Sequence, residues 1–474
     1  MVATLTISQA QTTNEAFEQE RQRMLNDFGR FRKKVLDDYA SYLDGVWQRF
    51  DAFKGVKRDP KPKPTVVPKA EGDAPEPVAI PVPDAPKEPV MPEEPKPVVA
   101  PKPEPLKPME PTTENITFAF YGMAWKAPKV DVETIRFGDN KSYGNAWRGY
   151  ESKGTRNVAA YLRNIAQAQG LNDWFAFQMV RQYADVAGRY AGSHARMALQ
   201  HFLMVNMGYD VRLAHTESQT ILLVPFCQMV YGRTFLKIGE QKFYMFYDDI
   251  NGERQPEAVY TCELPEDAFC GNVMNLEYNN GARISSGDLK HRTLTDGKMM
   301  LEAKVDKGLM EMLRHYPQMD IPVYAKSAVL PKLREDLLRQ LRPQIEGLSE
   351  TEAANKLIHF VQYAFDYATD GNQHGYEKAY FLEENFYYPK NDCEDRAIFY
   401  AYLIRNLLGL DVHLVHFPGH ECTAVNFRTD AVRGDYYTYE GKKFFICDPT
   451  YIGAKIGECM SDYRNTKPKI ELWY

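Results

Sequence analysis

Three residues in the last quarter of the chain have the types and the order that covalent catalysis needs. Cys393 is followed by His420 and then by Asp448. A thiolate can attack a carbonyl carbon, a histidine can take up and return the proton, and a carboxylate can orient that histidine. We therefore predict Cys393 as nucleophile, His420 as general base and Asp448 as the group that orients the base, with no metal and no other cofactor.

The sequence around Cys393 predicts a helix that begins at the cysteine. Asp392 is a favourable N-cap, apolar residues recur at helical spacing from Ala397 to Leu408, and Gly409 suits the position just past a helix end. In the first turn of a helix, the unpaired N–H groups and the helix dipole lower a thiol pKa. The acidic neighbours of Cys393 act in the opposite direction, so a protonated histidine partner is required.

His420 and Asp448 are predicted at strand ends. Residues 412–417 and 420–426 are rich in β-branched and aromatic side chains and flank Pro418-Gly419, which predicts a hairpin with His420 at the head of its second strand. Residues 443–447 predict the next strand, which ends at Asp448. A helix-start cysteine, a strand histidine and an acid after a further strand fit the three catalytic roles.

The phrases DCEDRA, PGHECTAV and FFICDPTY resemble the transglutaminase-like superfamily, whose fold is papain-like, over about residues 340–455. The resemblance implies the same roles for Cys393, His420 and Asp448. It further implies acyl transfer through an acyl-enzyme, as in a cysteine peptidase or amidase acting on protein or peptide amides. A cross-linking transglutaminase and a non-catalytic tethered binding protein are the alternatives. Cys393 and His420 are 27 residues apart, shorter than is usual in the family, which predicts a tight hairpin.

An internal repeat predicts that this fold occurs twice. Residues 208–215 (GYDVRLAH) match residues 409–416 (GLDVHLVH) at an offset of 201, and KFYM from Lys242 matches KFFI from Lys443 at the same offset. The predicted fold class is α+β, with two tandem transglutaminase-like domains at 113–250 and 251–474. The offset places Gly192, Gln219 and Tyr247 opposite the catalytic residues, so the first copy should be degenerate and inactive.

The segment before the repeat is predicted not to be globular. Residues 1–11 resemble the end of a signal peptide, and residues 12–55 carry apolar residues at helical spacing, which predicts an amphipathic helix or coiled coil. That helix, between residues 14 and 53, could drive self-association, bind a partner helix or fold back on the globular part. Eighteen of the thirty prolines fall between Pro60 and Pro111, which predicts a disordered, extended spacer at 56–112.

Composition excludes several classes of protein. A net charge of −6 gives no indication of nucleic-acid binding, and no apolar run reaches the roughly 20 residues of a membrane-spanning helix. The seven cysteines include no CxxC pair, which argues against zinc. Disulfides between Cys262 and Cys270 or between Cys447 and Cys459 stay open. The spacer and the signal-like start favour a periplasmic or otherwise exported bacterial protein, with a cytoplasmic one as the alternative.

Overall fold

The computed structural model describes residues 38–57, 66, 68–70, 78–83, 114–249, 255–262, 264, 271–278 and 285–473. The predicted signal remnant and the predicted helix as far as residue 37 lie outside the described residues. Helices and strands are both abundant, in agreement with the predicted α+β class. Among the described residues, no helix combines the length and the apolar character required to cross a membrane.

Residues 38–44 are helical. The helices that follow are α1 (Asn140–Ser152), α2 (Thr155–Ala168), α3 (Asp173–Ala187), α4 (Ser193–Met207), α5 (Lys307–Arg314), α6 (Ile321–Lys326), α7 (Pro331–Ile345), α8 (Glu350–Ala364), α9 (Asp370–Gln373) and α10 (Cys393–Leu403). Shorter helical turns are Leu382–Phe386, Ser461–Tyr463 and the π turn Ile404–Leu408.

The strands are β1 (Trp47–Asp51), β2 (Asn115–Phe120), β3 (Met123–Pro128), β4 (Arg212–His215), β5 (Thr220–Pro225), β6 (Phe235–Ile238), β7 (Gln241–Phe246), β8 (Ala258–Cys262), β9 (Leu289–Thr295), β10 (Met300–Asp306), β11 (Asp366–Tyr367), β12 (Lys390–Asn391), β13 (Asp411–Phe417), β14 (His420–Asn426), β15 (Tyr436–Tyr439), β16 (Lys442–Cys447) and β17 (Lys469–Trp473).

Two sheets share one strand order. The first runs β1-β8-β4-β5-β7-β6, and the second runs β17-β13-β14-β16-β15. When β1 is set aside, the two orders correspond strand by strand, with antiparallel pairing throughout. Helix α4 precedes the first of these sheets and α10 precedes the second. The 201-residue offset carries β6 onto β15 and β7 onto β16 without a shift.

The structure corrects the predicted helix over residues 12–55. Residues 38–44 are helical, but β1 follows and pairs with β8 along the edge of the first sheet. A strand that pairs with a segment more than 200 residues away leaves no local signal, whereas helical spacing is a local pattern. The same pairing shows that β8, and with it the first sheet, extends past the predicted boundary at residue 250.

Part of the predicted spacer is ordered against the second sheet. The N–H of Ala70 donates to the Ile452 carbonyl at 2.9 Å, and the N–H of Ile80 donates to the Tyr436 carbonyl at 2.9 Å. Ile80 is buried among Val415 and other apolar residues of that sheet. Proline fixes an extended backbone but lacks an N–H, so the non-proline residues between prolines supply the pairing. For these stretches, the expectation of disorder was wrong.

The β9–β10 hairpin fixes the segment that precedes α10. Lys290 Nζ donates to the Tyr387 carbonyl at 2.6 Å, and Arg292 donates to the carbonyls of Asn385 at 2.9 Å and Pro389 at 2.8 Å. Aromatic residues close the other side, where Phe381 packs against Tyr316 and other rings of the shared core. The start of α10 is therefore held in a rigid setting.

Candidate active site

The helix start predicted at Cys393 is confirmed. Cys393 is the first residue of α10, and the N-cap Asp392 accepts the first helical bond from the Arg396 N–H at 3.2 Å. The Asp395 carboxylate accepts the Asp392 N–H at 3.3 Å, which satisfies one of the unpaired donors of the turn. The helix ends through the π turn at Gly409, which has a φ of 64°. Only glycine adopts that conformation without strain.

His420 and Asp448 form a buried pair. Strands β14 and β16 are neighbours, and His420 Nε2 lies 2.8 Å from Asp448 Oδ2. Because a carboxylate can only accept, Nε2 is the donor when Asp448 is a carboxylate. Nδ1 has no hydrogen-bond partner in the described part of the chain, although His420 is only 1% exposed. The pair has the geometry of a base with its orienting acid.

Two further residues hold this pair, and neither was predicted from the sequence. The ring of Tyr463 stacks on the His420 imidazole, with centroids 5.2 Å apart and an interplanar angle of 11°. Gln362 of α8 donates to the carbonyls of Tyr451 at 2.8 Å and Ala454 at 3.0 Å, which fixes the turn after Asp448. Neither residue belongs to a Cys, His or Asp pattern, so spacing alone gave no signal for them.

The Cys393 thiol makes its hydrogen bond to an acid. Sγ donates to Glu394 Oε2 at 3.2 Å, and the side chain is 2% exposed. Burial raises the pKa of the Cys393 thiol well above its usual value, and the carboxylates of Glu394 and Asp392 raise it further. The backbone N–H of Glu421 lies near the sulfur and acts in the opposite direction. In this arrangement Cys393 is a protonated thiol.

Cys393 and His420 open into one cleft of about 280 Å³. Its lining comes from both halves of the chain: Lys57, Tyr231, Asp320, Ile321, Glu377, Cys393, Glu394, His416, Gly419, His420, Glu421, Lys469 and Glu471. Glu377 belongs to an aromatic and acidic stretch before α10. The structure thus brings Cys393 and His420 to one cavity and places Asp448 against His420, outside its lining.

Two groups near the cleft could hold a metal ion. The carboxylates of Asp370, Asp392 and Glu394 have oxygens within 4.8 Å of one another, and so do the ligand atoms of His420, Cys422 and Asp448. Burial and the neighbouring carboxylates raise the pKa of Asp370 to about 10, and that of Asp392 is raised as well. Without a cation, these buried acids keep their protons at neutral pH.

The corresponding positions of the first sheet have a different chemistry. Gly192 precedes α4, and Gln219 and Tyr247 line a cleft of about 170 Å³. His194 Nδ1 lies 3.0 Å from the Thr220 hydroxyl. Gly192 is the N-cap of α4, as Asp392 is of α10, and the first residue of α4 is Ser193, so a hydroxyl stands at the helix position that Cys393 occupies in α10. The six described cysteines are free thiols, including Cys447 and Cys459, while Cys270 lies outside the described residues.

Replacing Glu394 by glutamine is expected to make Cys393 more reactive at neutral pH. Removing a carboxylate next to a thiol favours the thiolate, so the thiol pKa falls. A fall of one unit in the thiol pKa raises the thiolate fraction about tenfold. A less basic thiolate is a weaker nucleophile, so the net gain in alkylation rate is roughly threefold. Iodoacetamide alkylation at pH 7, followed by mass spectrometry of each cysteine peptide, measures the rate.

The exposed Cys227 of the same chain is the internal control for that measurement. Its rate should stay unchanged in the Glu394→Gln variant. An unchanged or slower rate at Cys393 would show that Glu394 does not set the protonation of the thiol.

No family model, no curated protein and no solved structure matches the chain in the three comparisons with known proteins. The resemblance to the transglutaminase-like superfamily therefore depends on the residues of this chain and on their arrangement.

Proposed function

We propose that the chain is a thiol-dependent acyl-transfer enzyme, and in particular a cysteine peptidase or amidase that acts on protein or peptide amides. The observation that carries the proposal is the His420–Asp448 pair at 2.8 Å, in which Nδ1 has no hydrogen-bond partner among the described residues, together with the cleft that His420 and the helix-start Cys393 both line. A base with one nitrogen oriented and the other free, next to a helix-start thiol, is the arrangement that thiol catalysis requires.

In the proposed reaction, the Cys393 side chain turns from Glu394 toward His420 Nδ1 and gives up its proton. The thiolate attacks the amide carbonyl carbon, a C–S bond forms, and the carbonyl electron pair moves to oxygen. His420 then protonates the leaving amine as the C–N bond breaks, which leaves an acyl-enzyme. His420 next takes a proton from water, and hydroxide attack releases the acid and restores the thiol.

The backbone around the nucleophile supplies donors for the developing oxyanion. The N–H of Cys393 stands at the N-terminus of α10, where backbone N–H groups lack partners within the helix. The Glu421 N–H lies next to the sulfur. Either donor would stabilise the negative charge that develops on the carbonyl oxygen.

The shared strand order of the two sheets supports tandem transglutaminase-like domains with a degenerate first copy. In that arrangement the first copy contributes Tyr231 to the wall of the cleft that contains Cys393. An exported, periplasmic location goes with this proposal, since amide hydrolysis by a free thiol enzyme is compatible with that compartment.

A non-catalytic binding protein is the second candidate, and one observation favours it. The thiol of Cys393 is buried, and its pKa is raised by two adjacent carboxylates. A scaffold would retain such a thiol as an inert core residue. A cross-linking transglutaminase differs from the main proposal only in the acceptor, since an amine instead of water would attack the acyl-enzyme.

Alkylation of each cysteine by iodoacetamide between pH 5 and 9 separates the enzyme from the scaffold. The proposal expects alkylation of Cys393 to slow about tenfold in a His420→Ala variant, because the histidine takes up the thiol proton. Cys227 serves as the reference thiol. An alkylation rate that His420→Ala leaves unchanged would favour the scaffold.

A further inference from the structure

We propose that the cleft selects cationic substrates, so that the amide to be cleaved lies beside lysine or arginine side chains. This inference deepens the proposed function, because it names the class of peptide that the Cys393 cleft would take. It follows from the charges that line the cleft and from the segments that supply them.

Carboxylates outnumber cations in the cleft. Five acidic residues line it and only two lysines do, and both lysines are exposed at its rim. The acidic residues are Asp320, Glu377, Glu394, Glu421 and Glu471. Lys469 lies 3.3 Å from Glu471, so these two charges offset each other, and four carboxylates remain against Lys57. The cleft around the thiol is therefore negative.

One acid of the outer wall, Asp320, is held in place by a hydrogen bond. The Tyr231 hydroxyl donates to Asp320 Oδ1 at 2.6 Å, which fixes this carboxylate just before α6. Glu377 precedes the buried Lys378, and Glu471 lies on β17. These three acids come from segments outside the DCEDRA, PGHECTAV and FFICDPTY phrases, so they can set the substrate charge without altering the catalytic residues.

The lining of the cleft includes a buried side chain with an unpartnered nitrogen. His420 is 1% exposed, lines the cavity, and its Nδ1 has no hydrogen-bond partner among the described residues. A recessed cavity with walls of one sign of charge concentrates its field and attracts ligands of opposite charge. Complementary charge of this kind determines which partner enters and how fast. A cationic side chain next to the amide would pair with the carboxylates of the wall while the carbonyl reaches Cys393.

Charged thiol reagents test the sign of the field at Cys393. The probes are 2-aminoethyl methanethiosulfonate, a cation, and 2-sulfonatoethyl methanethiosulfonate, an anion. In each reaction the thiolate attacks the sulfenyl sulfur, a disulfide forms and methanesulfinate leaves. We expect the ratio of cation rate to anion rate at Cys393 to exceed that of N-acetylcysteine by about tenfold at low salt, and to fall toward it in 0.5 M NaCl.

Variants that remove charges test whether the preference for the cationic reagent comes from the carboxylates of the cleft. The double variant Asp320→Asn/Glu377→Gln should lower the ratio at least threefold, because it removes two negative charges from the cleft. The local structure should be kept, since an asparagine oxygen still accepts from Tyr231. The matched variant Glu302→Gln/Glu335→Gln removes two exposed carboxylates that do not line the cleft, and it should leave the ratio unchanged. A ratio equal to that of N-acetylcysteine, or one that responds equally to both variants, would overturn the inference.

Binding to the Cys393→Ala protein tests the inference without reference to catalysis. Acetyl-Ala-Lys-Ala-Lys-amide and acetyl-Ala-Glu-Ala-Glu-amide are compared by isothermal titration calorimetry. The lysine peptide should bind at least about tenfold more tightly at low salt, and Asp320→Asn/Glu377→Gln should reduce that preference. Equal binding of the two peptides overturns the charge selection even if Cys393 proves to be a nucleophile. A preserved preference with an inert Cys393 overturns only the catalytic proposal.

Discussion

Replacing Lys378 by methionine is expected to lower the free energy of unfolding by about 3 to 5 kcal/mol. Lys378 Nζ lies 2.6 Å from Glu384 Oε1, and the two side chains are 7% and 0% exposed. Methionine fills a similar volume but removes the cation, so a buried carboxylate loses its partner. Burial already raises the pKa of Glu384, and proton uptake by the stranded acid limits the loss.

Urea unfolding, followed through the transition midpoint, measures this effect, and a surface pair provides the matched control. Lys442 Nζ also lies 2.6 Å from a carboxylate, that of Asp411, but these side chains are 57% and 46% exposed. Lys442→Met should lower the free energy of unfolding by under about 1 kcal/mol, because water screens the exposed ion pair. The double variant Lys378→Met/Glu384→Gln should recover most of the loss. If Lys378→Met cost no more than Lys442→Met, burial would not decide the strength of the pair.

The Lys378–Glu384 pair matters to the site because it lies in the wall that precedes α10. The Lys378 N–H donates to Asp370 Oδ2 at 2.6 Å, and the Tyr380 N–H donates to Asp395 Oδ1 at 2.8 Å. The wall and the helix start are therefore tied together through buried carboxylates. Loss of the ion pair should loosen the elements that position Cys393.

Local sequence signals predicted well the elements that contain Cys393 and His420. The start of α10 follows from the N-cap Asp392 and its end from Gly409, because capping needs only neighbouring residues. Strand β14 follows from a run of β-branched residues that flank Pro418-Gly419. The repeat at an offset of 201 predicted two similar units, since matching segments kept their spacing through four strands of each sheet.

Long-range pairings could not be predicted in the same way. β1 pairs with β8, and Ile80 pairs with Tyr436, across more than 200 residues of chain. Which group accepts the hydrogen bond of the Cys393 thiol depends on side-chain rotamers, so Glu394 could be predicted only as an acidic neighbour. Asp320 lies 73 residues before the nucleophile, and nothing in its own segment indicated that it lines the cleft.

Replacing Asp370 by asparagine is expected to stabilise the protein by several kcal/mol at neutral pH. Burial, with the carboxylates of Glu394 and Asp395, raises the pKa of Asp370 to about 10. The unfolded chain loses this proton above about pH 4, whereas the folded chain keeps it. Unfolding therefore releases a proton, and stability falls as the pH rises from about 4 to 10. Between pH 5 and 8 this one group lowers the free energy of unfolding by up to about 4 kcal/mol.

Asparagine removes that loss because it is neutral in both states and its amide oxygen can still accept the Lys378 N–H. The variant should unfold at higher urea concentration at pH 8 than the unaltered protein, with little difference at pH 4.5, whereas the exposed Asp430→Asn should change neither. A difference that does not grow with pH would show that Asp370 is ionised in the folded state. A gain at pH 8 would mean that the chain keeps an acid beside its nucleophile at a cost in stability, which is the pattern of a functional group and not of a packing residue.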